Sequence, residues 1–402
     1  MGNVNAVHCI RGRNKIRKDT HLSEMRVLMT GGGTGGHVNP AIAIAETIKL
    51  NIPGSEIAFV GTPRGIENKL VRAAGYELYH VDVRGLRRSL SFANIKAAYL
   101  ALTSPGHAKK IIKSFKPDIV IGTGGYVSWP VLRAAASLGI PSMIHESNAY
   151  PGVTTRMLAR HVDTILLNFE KTAEYLKPLH PKKMVLVGNP LRSGFFTSSE
   201  KTASAITGIS DAKEGYQKMI LSYGGSLGAQ HINEAVLAMM RDYTKYHPEI
   251  LHILAAGSIE WEDANKMFDA YGLRGYPNLR LVEYIYDMPR RMAAADLVIC
   301  RAGAMTVSEI AAMRRAAIFI PSPNVTENHQ YKNARVLEEA GAAVIIEEKD
   351  LTGEKLTAAA DALLRDDKRR RAMGEAAGAF AIEDANKRIF KEICALTGYK
   401  NI

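Results

Sequence analysis

Apolar positions along the chain come in short runs. The run Met25-Arg26-Val27-Leu28-Met29-Thr30 starts abruptly and ends in glycines, as a buried strand does. Further runs at 57–61, 79–83, 118–122, 141–145 and 164–167 are β-branched or apolar, and amphipathic helical stretches separate several of them. That alternation predicts right-handed βαβ units around a parallel sheet, an α/β fold. At Val185-Leu186-Val187-Gly188-Asn189-Pro190 the glycine and proline stop the pattern, and a polar run follows near 198–204. A second series then begins, with strands predicted at 219–223, 252–255, 279–282, 297–300, 317–320 and 343–346. Two similar α/β domains in tandem follow, each opening with an apolar strand that enters a glycine loop. A length of 402 residues agrees with this, since it exceeds what one hydrophobic core usually supports. Residues 1–24 show no clear apolar periodicity and read as a disordered extension, with Met25 a candidate for the true first residue.

Composition narrows the class. With 47% apolar and 23% charged residues the chain is neither disordered nor collagen-like, so a packed enzyme or binding protein is expected. No apolar run reaches the roughly 18–20 residues that span a bilayer, and no signal core is present, which predicts a cytosolic protein. Cys9, Cys300 and Cys394 are far apart, so neither disulfides nor a zinc cluster are expected. The net charge is +12, of which residues 1–24 hold only +3, so the globular part is itself basic. Such an excess favours nucleic acid, phosphate-bearing ligands or an anionic membrane surface. Residues 84–96 interleave Arg84, Arg87, Arg88 and Lys96 with Leu86, Leu90, Phe92 and Ile95. This pattern suits an anionic membrane surface, and equally a helix whose apolar side faces the core. Nucleic acid is disfavoured, because only Phe92 and Tyr99 lie near for base stacking.

Candidate chemistry gathers at predicted strand ends. Gly31-Gly32-Gly33-Thr34-Gly35-Gly36, Gly122-Thr123-Gly124-Gly125 and Gly224-Gly225-Ser226-Leu227-Gly228 each follow a strand. Loops of this kind let backbone N–H groups approach a phosphate, and three of them are expected to gather at the carboxyl edge of one sheet system and form a binding crevice there. The first loop fits G-x-G-x-x-G, yet the next strand ends in Val60-Gly61-Thr62 with no acidic residue for an adenosine ribose, which speaks against NAD. His37, directly after the first loop, is a candidate general base; a helix cap is the alternative. His145-Glu146-Ser147-Asn148 offers polar groups at another strand end and makes Glu146 a rival base. Thr306 and Glu309 have capping-box spacing at a predicted helix start that also suits a diphosphate and a ribose. Gln330 and Asn333 lie one helical turn apart and are candidates for reading sugar hydroxyls. No D-x-D pair or H-E-x-x-H is present, so no metal site and no cofactor are expected. Leaving-group charge then falls to helix dipoles, loop amides and a basic side chain such as Arg192.

Taken in order, these motifs resemble those of the bacterial N-acetylglucosaminyltransferases that convert lipid I to lipid II in peptidoglycan synthesis. The resemblance rests on residues 32–38, Gly124-Gly125-Tyr126-Val127-Ser128-Trp129-Pro130, His145-Glu146-Ser147-Asn148-Ala149, Gly188-Asn189-Pro190-Leu191-Arg192, residues 224–229 and residues 301–309. It implies a GT-B architecture of two Rossmann-like domains facing across a cleft. The implied division is an acceptor and membrane-associating domain over 25–188, a UDP-N-acetylglucosamine domain over 189–380, and a final helix over 381–402 crossing back. By this resemblance Ser226, Ile285, Ala304, Met305, Thr306, Val307, Ser308, Glu309 and Gln330 contact the donor, Ile285 lying against uracil and Glu309 on the ribose. Thr34, Gly35, Gly36, Asn148 and Arg192 reach the sugar or diphosphate from the opposite side. His37 or Glu146 takes the acceptor proton without metal, and configuration inverts. The implied location is the cytoplasmic face of the cell membrane, with cell-wall assembly proteins as further partners. Trp129 and His329 depart from the more familiar pattern. A UDP-N-acetylglucosamine 2-epimerase shares the architecture and donor but needs no basic apolar segment.

Overall fold

The computed structural model describes residues 24–83, 92–191, 195 and 212–400. Of residues 92–102 only the backbone is described.

The first lobe alternates β1 (Arg26–Thr30), α1 (Gly35–Asn51), β2 (Glu56–Gly61), α2 (Glu67–Ala73), β3 (Glu77–His80), α3 (Phe92–Phe115), β4 (Ile119–Gly122), α4 (Ser128–Ser137), β5 (Ser142–Glu146), α5 (Val153–Leu158), β6 (Thr164–Leu167), α6 (Thr172–Leu176) and β7 (Met184–Leu186). Its seven strands lie in the order β3-β2-β1-β4-β5-β6-β7, all parallel. Side chains alternate across this sheet. Val27 and Met29 of β1 pack with Ile44 and Ile48 of α1 on one face, while Leu28 packs with Ile112 and Leu132 on the other. Strands covered on both faces must be apolar throughout, which is why β4 reads as an unbroken apolar run.

The second lobe repeats the plan with β8 (Lys218–Tyr223), α7 (Gln230–Asp242), β9 (Ile250–Ala255), α8 (Trp261–Ala270), β10 (Leu279–Val282), α9 (Met288–Ala294), β11 (Leu297–Cys300), α10 (Ala304–Met313), β12 (Ala317–Phe319), α11 (His329–Glu339), β13 (Val344–Ile345), α12 (Gly353–Arg365) and α13 (Asp367–Gly378). Its six parallel strands run in the order β10-β9-β8-β11-β12-β13. In both sheets the strand order reverses beside the first strand, where a crevice opens at the carboxyl ends. The last helix, α14 (Ala385–Thr397), leaves the second lobe. Its Ile389, Phe390 and Ile393 enter the core that holds Met25, Ile48 and Val187 of the first.

The chain therefore passes between the lobes twice, and the two passages touch. Gly188 has φ +85°, and a methyl on it would sit 2.7 Å from Ile382 Cβ; Asn386 Nδ2 donates to the Leu191 carbonyl at 3.2 Å. The two-lobed parallel α/β fold agrees with the sequence pattern, with three differences of detail. Met184–Leu186 pairs with β6 as a seventh strand in the stretch read as a stop. β3 ends at His80 instead of residue 83. Two of the three glycine loops, after β1 and β4, crown the first sheet, whereas the third crowns the second. No described helix is long and apolar enough to cross a membrane.

Candidate active site

The first glycine loop is fixed from several sides. Because β1 and β4 pair, their loops lie side by side: Thr123 Oγ1 donates to the His37 carbonyl at 2.7 Å and Ser128 Oγ to the Thr30 carbonyl at 3.2 Å. The approach is so close that a methyl on Gly125 would sit 2.2 Å from the Gly32 oxygen. Glu67, buried at the start of α2, accepts from Thr62 N (2.8 Å), Thr62 Oγ1 (2.7 Å) and Gly33 N (3.2 Å). Burial pushes its carboxyl up, but the bonds from Thr62 and Gly33 more than reverse this, leaving it below the ordinary value. An acidic group thus does stand behind β2, yet it holds the loop and is turned away from any ribose role.

Thr34 precedes α1 with extended backbone, and Gly35 and Gly36 form the helix's first residues. His37 follows, half-buried. Its Nδ1 lies 3.1 Å from the Gly32 carbonyl and 3.2 Å from Thr34 Oγ1. A carbonyl only accepts, so Nδ1 carries the proton and Nε2 keeps its lone pair. Nε2 faces the position where a Gly124 side chain would be, 3.1 Å from that point. Burial lowers the His37 pKa, opposed by the nearby Glu146 charge, the bond to Gly32 and Glu67, so the ring is neutral at pH 7.

Glu146 ends β5, and its carboxylate is already ringed by donors: Asn148 N and Nδ2, both at 3.0 Å, Gly152 N at 2.9 Å and Thr155 Oγ1 at 2.6 Å. These bonds fold residues 147–152 into a fixed turn that meets the second lobe. Asn333 of α11, fully buried, accepts from Ala149 N at 2.9 Å and donates to Asn148 Oδ1 at 3.2 Å and to the Ala302 carbonyl at 3.4 Å. Its amide is committed to the junction, which corrects the expectation that it reads sugar. Arg156 pairs with Glu327, and Lys332 Nζ sits 3.3 Å from the centre of the Tyr150 ring, so cation and ring contacts also cross the cleft.

On the second lobe, Ser226 is exposed in the loop after β8, its carbonyl accepting from Ser258 N at 3.1 Å. Ile285 is buried in that lobe's core, between the exposed Tyr284 and Tyr286 in sequence. Helix α10 starts earlier than its Thr306/Glu309 spacing suggested. Gly303, with extended backbone, is the N-cap, so Thr306 lies inside the first turn and no side chain caps the helix. The N–H groups of Ala304, Met305 and Thr306 consequently have no acceptor within the helix. Val307 is buried in the core. Ser308 turns to the junction, accepting from Asn189 Nδ2 at 2.9 Å and Asn168 Nδ2 at 3.2 Å. Glu309 is half-buried, close enough to act on Tyr223 and Cys300. Gln330 Oε1 accepts from Ser322 N at 2.9 Å. Arg192 and residues 84–91 lie outside the described residues, as do the side chains of the rest of the 84–96 segment.

Residues 27–167 match the Glycosyltransferase family 28 N-terminal domain, and residues 219–389 match the Glycosyltransferase family 28 C-terminal domain. The chain belongs to glycosyltransferase family 28. A UDP-N-acetylglucosamine--N-acetylmuramyl-(pentapeptide) pyrophosphoryl-undecaprenol N-acetylglucosamine transferase of Acetivibrio thermocellus is 42% identical over 369 residues, 92% of this chain and 97% of the relative. Among solved structures, MurG of Acinetobacter baumannii aligns with a TM-score of 0.73 at 30% identity, covering 92% of this chain and 99% of that one. The two lobes of the family 28 enzyme thus form a GT-B fold. The UDP-N-acetylglucosamine 2-epimerase of Neisseria meningitidis, bound to UDP-N-acetylglucosamine, aligns with a TM-score of 0.64 at 16% identity over 92% of this chain and all of that one. That likeness is one of fold alone.

Two residues of the family 28 cleft carry more than their sequence position suggested. Glu67 lies five residues beyond the strand end where an acid was sought, and only the turn into α2 brings it back. His329, noted before only as a departure, opens α11 with Nδ1 buried and without a hydrogen-bond partner among the described residues. Burial lowers its pKa, and it feels Glu146 and His37 across the cleft. No spacing within the chain announces that meeting, because the groups come from different lobes.

Proposed function

We propose that this family 28 enzyme moves N-acetylglucosamine from UDP-N-acetylglucosamine to the 4-hydroxyl of the N-acetylmuramoyl unit of lipid I, giving lipid II with inversion at the anomeric carbon. The activity for which the A. thermocellus relative is named supports this donor and acceptor. The observation that carries the chemistry is the neutral His37 with Nδ1 on the Gly32 carbonyl and Nε2 open. As the acceptor oxygen forms its bond to the anomeric carbon, Nε2 takes the hydroxyl proton. The bond from that carbon to the diphosphate breaks, and UDP leaves with the electron pair. Glu146, with four donors on its carboxylate, orients Asn148 and the turn around it and leaves the proton to His37.

The unpaired amides of Ala304, Met305 and Thr306 suit the departing diphosphate, with Thr34, Gly35 and Gly36 meeting it from the first lobe and Arg192 assigned to the same charge. Ser226 and Ile285 serve the uridine end, Glu309 the ribose and Gln330 the sugar, while Val307 and Ser308 set the helix against the core and the junction. In this reading residues 25–188 serve the acceptor, 189–380 the donor, and 381–402 return to the first domain. The basic apolar stretch 84–96 docks on anionic lipid at the cytoplasmic face of the membrane, where lipid I is presented, and cell-wall assembly proteins are its neighbours there.

Incubation of the protein with labelled UDP-N-acetylglucosamine and a lipid I analogue, in chelator without added metal, tests the proposal. Label in the lipid with stoichiometric UDP release is expected. Conversion of the free UDP-sugar to its 2-epimer without lipid labelling would overturn it.

A further inference from the structure

The amino edge of the second sheet, at the far end of its strands from the cleft, holds a cavity of about 330 Å³. Six cationic side chains line it: Lys213, Lys218, Arg314, Arg315, Arg370 and Arg371. Only two carboxylates, Asp296 and Asp367, share the lining. The placement follows from topology. Lys218 begins β8, Asp296 precedes β11 and Ala316 precedes β12, three neighbouring strands, while the turn after α10 and the body of α13 close the sides. The six residues of β8 separate this cavity from the Gly224 loop by roughly 17–20 Å at about 3.3 Å per residue. It is therefore distinct from the donor cleft.

The two acids are already shared among several cations. Asp296 accepts from Lys213 at 2.7 Å and from Met219 N at 2.9 Å, and lies 3.5 Å from Arg370. Asp367 pairs with Arg370 at 2.8 Å and with Lys218 at 3.2 Å. Arg315 has no carboxylate within ion-pairing distance among the described residues: its Nε donates to the Met313 carbonyl at 2.6 Å and its Nη1 to the Ala295 carbonyl at 3.4 Å. Burial lowers its pKa, the sign of a guanidinium held out of water without a close counter-charge. Arg371 likewise forms no ion pair among the described residues.

The packing fixes these groups in place. Arg314 adopts the left-handed conformation, φ 51°, at the end of α10. Helix α13 presses on this turn so closely that a methyl on Gly374 would sit 2.3 Å from the Arg314 carbonyl oxygen. Arg314 pairs with Glu375 at 2.6 Å from outside the lining, yet six cations against these three acids leave a concave, preformed pocket with an excess of positive charge, which calls for an anion with more than one charge. Guanidinium groups select planar or tetrahedral oxyanions through paired N–H donors.

We propose that this cavity is a second ligand site that recognises a phosphate-bearing anion, separate from the nucleotide-sugar cleft. Its chemistry fits a compact free diphosphate or the phosphate of an acidic lipid headgroup, and two arms of one experiment separate these sources. In the first, the full-length protein is dialysed to equilibrium against labelled pyrophosphate with UDP kept saturating, so that the cleft is occupied. In the second, it is sedimented with phosphatidylglycerol vesicles. Arg371→Glu, on an exposed helix face, tests the site without disturbing the core, and Arg315→Gln tests the buried guanidinium. Binding in either arm that weakens about tenfold or more in Arg371→Glu, with transferase turnover unchanged, supports the site and names its source. Binding in neither arm, or binding that Arg371→Glu leaves unaltered, overturns it.

Discussion

An imidazole whose Nδ1 is tied to a carbonyl and whose ring is desolvated stands neutral, with the Nε2 lone pair free to take a proton, before any substrate arrives. His37→Ala should therefore lower kcat by about 100- to 10,000-fold while the dissociation constant for UDP-N-acetylglucosamine stays nearly unchanged, as calorimetry and steady-state rates will show. Because burial depresses the His37 pKa, the acid limb of kcat/KM should fall below the ordinary histidine value of about 6.5, activity being lost as pH drops through it. Gly124→Ala attacks the same ring indirectly. Its methyl would lie 2.7 Å from His37 Cδ2, at a backbone φ of +104°, so kcat should fall with the donor affinity kept. A different histidine ties stability to pH. His252 is buried between Ser222 Oγ at 2.9 Å and Thr244 Oγ1 at 3.1 Å, and burial pushes its pKa down to about 3. Unfolded, it binds a proton below about 6.5, so its contribution is complete above that pH and lost below it, by up to ~1.4 kcal/mol per unit. Urea midpoints at about pH 7.5 and pH 5.5 should differ accordingly, and His252→Gln should flatten the difference.

At the scale of elements, the buried contact by which α11 joins the lobes is the Asn333 amide, with Lys332 over Tyr150 beside it. Asn333→Ala leaves the Ala149 N–H and the Asn148 side chain without their partner, and should destabilise the closed arrangement by about 1–3 kcal/mol. Small-angle scattering should record a more open molecule, and the KM for donor should rise. Much of the element order was legible beforehand, because strands such as β4 and β11, covered on both faces, must be apolar along nearly their whole length. β7 was not, being three half-exposed residues whose partner, β6, supplies the pairing. The start of α10 was misplaced for a physical reason: Thr306 and Glu309 have the spacing of a capping box, but the extended backbone of Gly303 already begins the helix. In the cleft, the glycine loops and His37 stood out because they are contiguous in sequence. Glu67, Asn333 and His329 act on groups that only tertiary folding brings near.

For the molecule as a whole, the final helix belongs structurally to the lobe that the chain left some two hundred residues earlier. Ile393, fully buried against the first lobe's core, should cost about 2–5 kcal/mol when truncated to Ala. Hydrogen exchange should then quicken in α1 and not in α7, although α7 is much nearer in sequence. The twin passages at Gly188 and Ile382 extend the same point to motion. Two strands of backbone, lying against each other and bonded through Asn386 and Leu191, act like adjacent knuckles on a door. Swinging about the line through both leaves each at its natural length, whereas twisting the lobes or sliding them sideways must stretch one against the other. An opening motion about that line should therefore follow nearly a single path, returning the second lobe to the same contacts with the first each time it closes.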